Sequence, residues 1–413
     1  MKLEKSRRII RVAKKILPGG STFNKTAFFD EGKTPFCLVK GNKSEVTDID
    51  GNNYTDFMNG LGCNLLGYNI GFINRAVEKE INNGCLLPFA SDLEIQVAKK
   101  LKKLIPSAEM VRFGKNGSDV LTQAVKLSRY CTNKKHVIFG GYHGWHDWVI
   151  GSSSRSGGIP EAEKKISHKF IFNDFNSILK LHKKLNGDIA CIVMDLVARY
   201  YPEKNFLKKV RDFCSKNKIL LVFDEIVTGF RINKGGAQTF FKVTPDLSCF
   251  GKAMGNGMPI SALVGKKQYM KKFNDVFYAM NFVGEKASLA AAKVTLDYYL
   301  KNDVAKEINK KGNFLSTRLK KIIKKYKLNN FIQIQGMSSR IIIGFKNNLD
   351  SDFLKKKSAD IDQIVRFMIQ TFAENKILCN LSVFINKSHS KKDLTKFAKI
   401  FDQICYKISN SKV

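Results

Sequence analysis

Asp224 and Lys252 sit in surroundings that narrow what they can do. Asp224 ends an apolar run, Ile219-Leu-Leu-Val-Phe-Asp224-Glu225, and Lys252 comes 28 residues later in Phe250-Gly-Lys252-Ala-Met-Gly-Asn-Gly-Met-Pro259. A carboxylate at the end of a buried strand can keep a heterocyclic ring nitrogen protonated. A lysine among glycines can attack an aldehyde and hold it as a Schiff base. The two needs coincide in pyridoxal phosphate (PLP), whose protonated ring acts as an electron sink. Each residue also has a plainer explanation, because lysine is abundant here and an acid after a strand is often a helix cap.

Two further stretches could serve the same group. Phe113-Gly-Lys-Asn-Gly117-Ser118-Asp119 opens a helical pattern. A glycine turn and the free amides of a helix start suit a phosphate, to which Ser118 can add its hydroxyl. The same residues also read as an ordinary capped helix. Gly140-Gly-Tyr142-His143-Gly-Trp-His146-Asp147-Trp148 concentrates aromatics among glycines, so that Tyr142 could stack on a planar ring. It equally reads as a packed loop whose histidines are only hydrogen-bonded. His143 and His146 are three apart and His146-Asp147 could suggest a metal, but no third strong ligand is evident and no metal centre is expected.

The elements that must position these residues alternate between strand and helix from about residue 85 to 290. Residues 136–139, 189–194, 219–223 and 246–250 read as strands, and 97–105, 118–130 and 206–216 as helices. That order predicts an α/β fold with a mainly parallel sheet covered on both faces. Ligands of such sheets lie beyond the carboxyl ends of the strands. Asp224 falls there, Ile226 is available to cover a ring face, and Lys252 comes after the next strand. Beyond about residue 290 a helix at 287–299, a strand at 340–345 and helices at 359–375 and 391–408 read as a smaller α+β domain. Residues 36–51 alternate like an antiparallel hairpin. The expected division is a large domain at 51–290, a small one at 291–413, and a segment at 1–50 packing with the small one.

Composition narrows the classes. The 413 residues are 44% hydrophobic and 26% charged, ordinary for a globular chain. The sequence contains neither a bilayer-length apolar run nor a signal-peptide pattern, so a soluble, cytoplasmic protein with no membrane partner is expected. Nine cysteines are scattered singly, which fits reduced thiols. The net charge of +35 suits a nucleic-acid binder, but it comes from 58 Lys against 13 Arg spread along the whole chain. Without an Arg-rich arm, no nucleic-acid partner is expected.

The stretch from Phe223 to Gly265 resembles class III (fold type I) PLP-dependent aminotransferases, within the group related to glutamate-1-semialdehyde aminomutase. Thr47 to Phe57, Arg112 to Asp119, Gly141-Tyr-His-Gly144 and Gly284 to Ala292 match in the same order, so the likeness covers most of the chain. The resemblance implies a large PLP-binding domain and a smaller α+β domain. Lys252 would form the Schiff base and shuttle a proton, and Asp224 would pair with the pyridinium. Gly117 and Ser118 would hold the phosphate, with Tyr142 and Ile226 on the two ring faces. It further implies a homodimer, in which the segment near Asn281 reaches the neighbour's phosphate, and a small-molecule amino donor and oxo acceptor.

Three departures bear on substrate. Asn281 stands where the family has a hydroxyl residue, and Asp195-Leu196 replaces a Glu-Pro. Lys25 or Thr26 occupies the place of an arginine that reads the aminomutase substrate's carboxylate, and a lysine makes a poorer fork for that group. No obvious C-terminal arginine serves an α-carboxylate, and Leu381-Ser-Val-Phe-Ile-Asn-Lys387 offers only Lys387. These features favour an aminotransferase, with members linked to sugar or surface-polysaccharide precursors similar in the 115–119 and 144–148 motifs. An intramolecular aminomutase is the alternative, and a non-catalytic binding protein on the same fold the third.

Overall fold

The computed structural model describes residues 1–21, 33–197, 199–346 and 361–410. Lys25 and Thr26 lie outside them. The chain divides into two units, one made of Met1–Ile70 with Glu307–Val413 and one of Gly71–Lys306. The divisions fall at 70/71 and 306/307, against the 50/51 and 290/291 read from the pattern of elements along the sequence.

The second unit is built on seven strands. In chain order these are β1 (Met110–Gly114), β2 (His136–Gly140), β3 (Ser167–Lys169), β4 (Ile189–Asp195), β5 (Leu220–Asp224), β6 (Leu247–Phe250) and β7 (Ser261–Gly265). Their spatial order is β1-β7-β6-β5-β4-β2-β3. Neighbours from β6 through β3 pair in parallel, while β7 runs antiparallel to both β1 and β6. The central strands are covered on both faces, so their sequences are continuous apolar runs without alternation. Every side chain from Ile189 to Met194 is buried, as are Leu220 to Phe223.

The same unit contains the helices α1 (Gly117–Thr132), α2 (Phe206–Lys216) and α3 (Lys286–Lys301). In α1 the apolar spacing buries Val120, Leu121, Ala124, Val125 and Leu127 against the sheet. Its start is set by Asn116 in extended backbone, with the Asp119 carboxylate accepting the Asn116 N–H at 2.7 Å. Its end is the left-handed Asn133. All nine cysteines are free thiols, and burial pushes the Cys191 thiol on β4 up to about 12.

In the first unit, Leu38–Asn42 and Glu45–Asp48 form the expected hairpin, which continues antiparallel into Asn53–Asp56. Ile377–Leu378 then pairs in parallel with Asn53–Asp56, so one sheet holds strands from both ends of the chain. The matched motif at 47–57 is a turn held by its own acids. Asp48 accepts the Asn52 N–H at 2.7 Å and the Tyr54 hydroxyl at 2.8 Å, and Asp50 accepts the Lys5 N–H at 2.7 Å. Ile332–Met337, Arg340–Phe345 and Ser382–Phe384 make a separate antiparallel sheet, accompanied by helices Ile361–Glu374 and Lys391–Asn410. Among the described residues no helix is long and apolar enough to cross a membrane.

Candidate active site

Asp224 is the last residue of β5, at the carboxyl edge of the parallel strands, and its side chain is buried. Oδ1 accepts the Ile226 N–H at 3.0 Å, while Oδ2 accepts from His143 Nδ1 at 2.7 Å. His143 is itself buried, with Nε2 3.1 Å from the Gly140 carbonyl oxygen and its ring stacked on Trp148. The carboxylate is therefore held on two sides in a fixed orientation. The adjacent Glu225 is turned away from this edge. It is fully buried and accepts from the Thr228 hydroxyl, from Ala237 N at 2.7 Å and from Gln238 N at 2.9 Å. Burial raises its carboxyl above the usual range against the pull of these donors. It ties the strand end to the next helix.

The start of α1 offers the backbone donors that an anion would need. The backbone N–H groups of Gly117 and Ser118 fall in the first helical turn, where no intrahelical acceptor exists, and they carry the positive end of a 16-residue helix. Gly117 packs closely on Ile226: a Cβ there would lie 3.1 Å from Ile226 Cδ1. A Cβ on Gly251 would meet the same atom at 3.2 Å. The Ile226 side chain thus sits between the phosphate-type turn and the residue before Lys252. From β7, the Ser261 hydroxyl donates to the Asn116 carbonyl at 2.8 Å and steadies that turn.

Lys252 comes after β6 through Gly251 and opens a short 3-10 turn. Its φ of +42° is in the left-handed region, which non-glycine residues seldom adopt and which clusters at functional positions. Tyr299 of α3 donates its hydroxyl to the Ala253 carbonyl at 2.9 Å and fixes the same turn.

Gly117, Ser118, Asp224, Ile226 and Lys252 are therefore gathered at one edge of the sheet. Tyr142 lies on the loop leaving β2 beside His143, and its ring is 72% exposed. Asn281 is exposed in the turn before α3. That turn is anchored by Glu285, whose Oε1 meets Lys115 Nζ at 2.6 Å. Asp195, at the end of β4, is in register with Asp224, and a Cβ on Gly141 would lie 2.7 Å from its own Cβ. The shortened acid is thus packed beneath the Tyr142 loop. In the first unit the Lys387 ammonium pairs with Glu307 at 3.5 Å. Among the described residues no three His, Cys, Asp or Glu side chains are grouped to hold a metal ion.

Sequence reasoning missed His143 as the partner of Asp224 and treated it as a hydrogen-bonded loop residue. The two are 81 positions apart. The one available signal was its place directly after the candidate stacking tyrosine.

The donor set fits PLP: unaccepted amides at a helix start for the phosphate, a fixed buried carboxylate for the ring nitrogen, a branched apolar side chain between them, and a lysine on a strained turn. Comparison with known proteins agrees. A family model described as aminotransferase class-III matches residues 28–401. A glutamate-1-semialdehyde 2,1-aminomutase from Methanosphaera stadtmanae is 32% identical, over 96% of this chain and 97% of that one. A 3-aminobutyryl-CoA aminotransferase from Cloacimonas acidaminovorans is 34% identical, over 78% of this chain and 80% of that one. Among solved structures, the PLP internal aldimine form of the FumI protein from Sphingopyxis sp. MTA144 superimposes with a TM-score of 0.88 at 23% identity, covering 97% of this chain and 95% of that one. The fold is that of the fold type I PLP enzymes. With a match running through nearly the whole sequence and a site whose donors suit the cofactor, the chain belongs to the class III aminotransferases, which use PLP.

Proposed function

We propose that this enzyme transfers an amino group from a small donor to a small oxo compound, with Lys252 as the residue that binds the cofactor covalently. Bound at the sheet edge, the cofactor supplies an aldehyde to take up the amino group and a ring that draws electrons from the neighbouring carbon. Lys252 Nζ moves the proton between substrate and cofactor carbons. Asp224 keeps the ring nitrogen protonated, with His143 holding the carboxylate from behind. The Gly117 and Ser118 amides and the Ser118 hydroxyl bind the phosphate, and Ile226 and Tyr142 cover the ring.

The convergence of Asp224, Gly117 and Gly251 around Ile226 carries this reading, because it brings three separate segments to one ligand-sized edge. A homodimer completes it. Leu86, Leu87, Phe89, Phe277 and Phe282 of the second unit are exposed apolar side chains that a second copy would cover. Asn281 would then approach the neighbour's phosphate.

The intramolecular aminomutase is the second reading, favoured by the names of relatives at 32% and 34% identity over nearly the full chain. Against it stand Lys25 and Thr26 in place of an arginine, and the engagement of Lys387 by Glu307. A sugar or polysaccharide precursor as acceptor rests on motif likeness at 115–119 and 144–148.

The test begins with purified protein and borohydride. Reduction should fix the cofactor on Lys252, detectable by peptide mass, and Lys252→Ala should abolish the adduct. A protein that takes up no PLP sinks every enzymatic reading. A single amino donor should leave its nitrogen on the enzyme and release an oxo product, with turnover only after an acceptor is added. Isomerisation of one substrate without an acceptor would establish the mutase instead.

A further inference from the structure

The loop from Gly140 to Trp148 is pinned to α1 at two points one helical turn apart. Ser118 and Thr122 are four residues apart and share a helix face. Gly144, with φ +103°, lies directly against the first: a Cβ on it would fall 2.1 Å from Ser118 Oγ. The Thr122 hydroxyl takes both nitrogen partners from the loop's far end. Trp148 Nε1 donates to Thr122 Oγ1 at 2.9 Å, and His146 Nδ1 lies 2.8 Å from the same oxygen. The indole N–H is a donor only, so the hydroxyl must accept it. Trp148 in turn stacks on His143, whose Nδ1 holds Asp224. One hydroxyl on α1 therefore anchors a loop whose adjacent residues His143 and Gly144 reach Asp224 and Ser118.

We propose that Thr122 is a positioning residue for the cofactor site: by locking His146 and Trp148 it holds Gly144 against Ser118 and so fixes the Ser118 hydroxyl on the cofactor phosphate. This rests on the proposed role of Gly117 and Ser118 in binding that phosphate. Thr122 touches neither cofactor nor substrate. Loss of its hydroxyl leaves the Trp148 N–H and His146 Nδ1 without their shared partner in a half-buried place, and the loop relaxes away from α1.

The experiment compares PLP with pyridoxal, which lacks the phosphate, by absorbance titration of the full-length apoprotein. Wild-type protein should prefer PLP, and borohydride labelling of Lys252 checks the underlying cofactor reading separately. Thr122→Val should cut the PLP-to-pyridoxal affinity ratio by about tenfold, and Thr122→Ser, which restores the hydroxyl, should recover it. Trp148→Phe keeps the ring that packs on His143 but removes the N–H, and should shift the ratio the same way by less. It also serves as the test if Thr122→Val fails to fold. An unchanged ratio in the variants that fold overturns the proposal, including the case in which only the melting temperature falls. A wild-type protein that binds no PLP removes the cofactor reading and this proposal with it.

Discussion

His143 Nδ1 lies 2.7 Å from Asp224 Oδ2, and both side chains are buried at the carboxyl end of β5. The imidazole is a side-chain donor to the acid that we propose pairs with the cofactor's ring nitrogen. His143→Phe keeps the aromatic packing on Trp148 and removes that donor. A charge-assisted hydrogen bond of this kind contributes about 1.5–3 kcal/mol. The expected outcome is a fall in kcat of roughly ten- to a hundredfold with the Lys252 adduct still formed. Unchanged steady-state kinetics would remove His143 from the catalytic arrangement.

Gly144→Ala tests the next residue of the same loop, on the side that faces Ser118. The added methyl would meet Ser118 Oγ at 2.1 Å on a backbone with φ +103°. Both the overlap and the left-handed strain oppose it, each at a cost of about 1 kcal/mol or more. PLP affinity should drop at least about tenfold, measured by quenching of intrinsic fluorescence. A variant with wild-type affinity would show that Ser118 does not hold the phosphate.

Lys115 and Glu285 form an ion pair with both side chains nearly out of water, 13% and 12% exposed. Burial alone would raise the Glu285 carboxyl, but hydrogen bonds from Lys115 and Ser288 hold it below its ordinary value. Lys115→Met leaves that carboxylate unpaired and should destabilise the protein by about 3 kcal/mol. Lys115→Met combined with Glu285→Gln should recover part of the loss, so denaturant midpoints of the two singles and the double should be non-additive. Additive losses would mean the pair contributes nothing as a pair.

His389 in the first unit gives a pH dependence of stability. Its ring is buried, stacks on Phe57 and donates from Nε2 to the Asp56 carbonyl at 3.0 Å, and burial lowers its pKa from 6.5 to about 4. The unfolded chain therefore binds the proton first as pH falls. Stability from this group is whole above about pH 6.5 and is lost between there and about pH 4, amounting to roughly 3 kcal/mol at the lower limit. Chemical denaturation across this range should show the decline, and His389→Gln should flatten it. An equal decline in the variant would assign the effect to other groups.

Legibility in the sequence tracked the range over which each signal acts. β4 and β5 stood out because strands covered on both faces must be apolar throughout, and Asp224 was conspicuous as the charge that ends such a run. Gly117 and Ser118 were visible as a helix start. The role of Ile226 was only half visible: its place after Asp224 could be read, but its seat between Gly117 and Gly251 depends on three segments meeting in space. The left-handed backbone of Lys252 had no sequence sign, since that conformation ordinarily calls for glycine. The unit boundary moved from 50 to 70 because the strand Asn53–Asp56 pairs with Ile377–Leu378, a partner that no local pattern could announce.

That pairing also sets an order of events during synthesis. Asn53–Asp56 emerges from the ribosome before any residue of the second unit, and Ile377–Leu378 emerges after all of it. The second unit, contiguous in sequence, can collapse while translation continues, whereas the first must wait with one strand edge bare. Nascent chains halted before residue 377 would thus carry a finished seven-stranded sheet and an unclosed N-terminal hairpin. Such an edge invites pairing with other chains, so the last stretch of translation is when this protein is most exposed to aggregation.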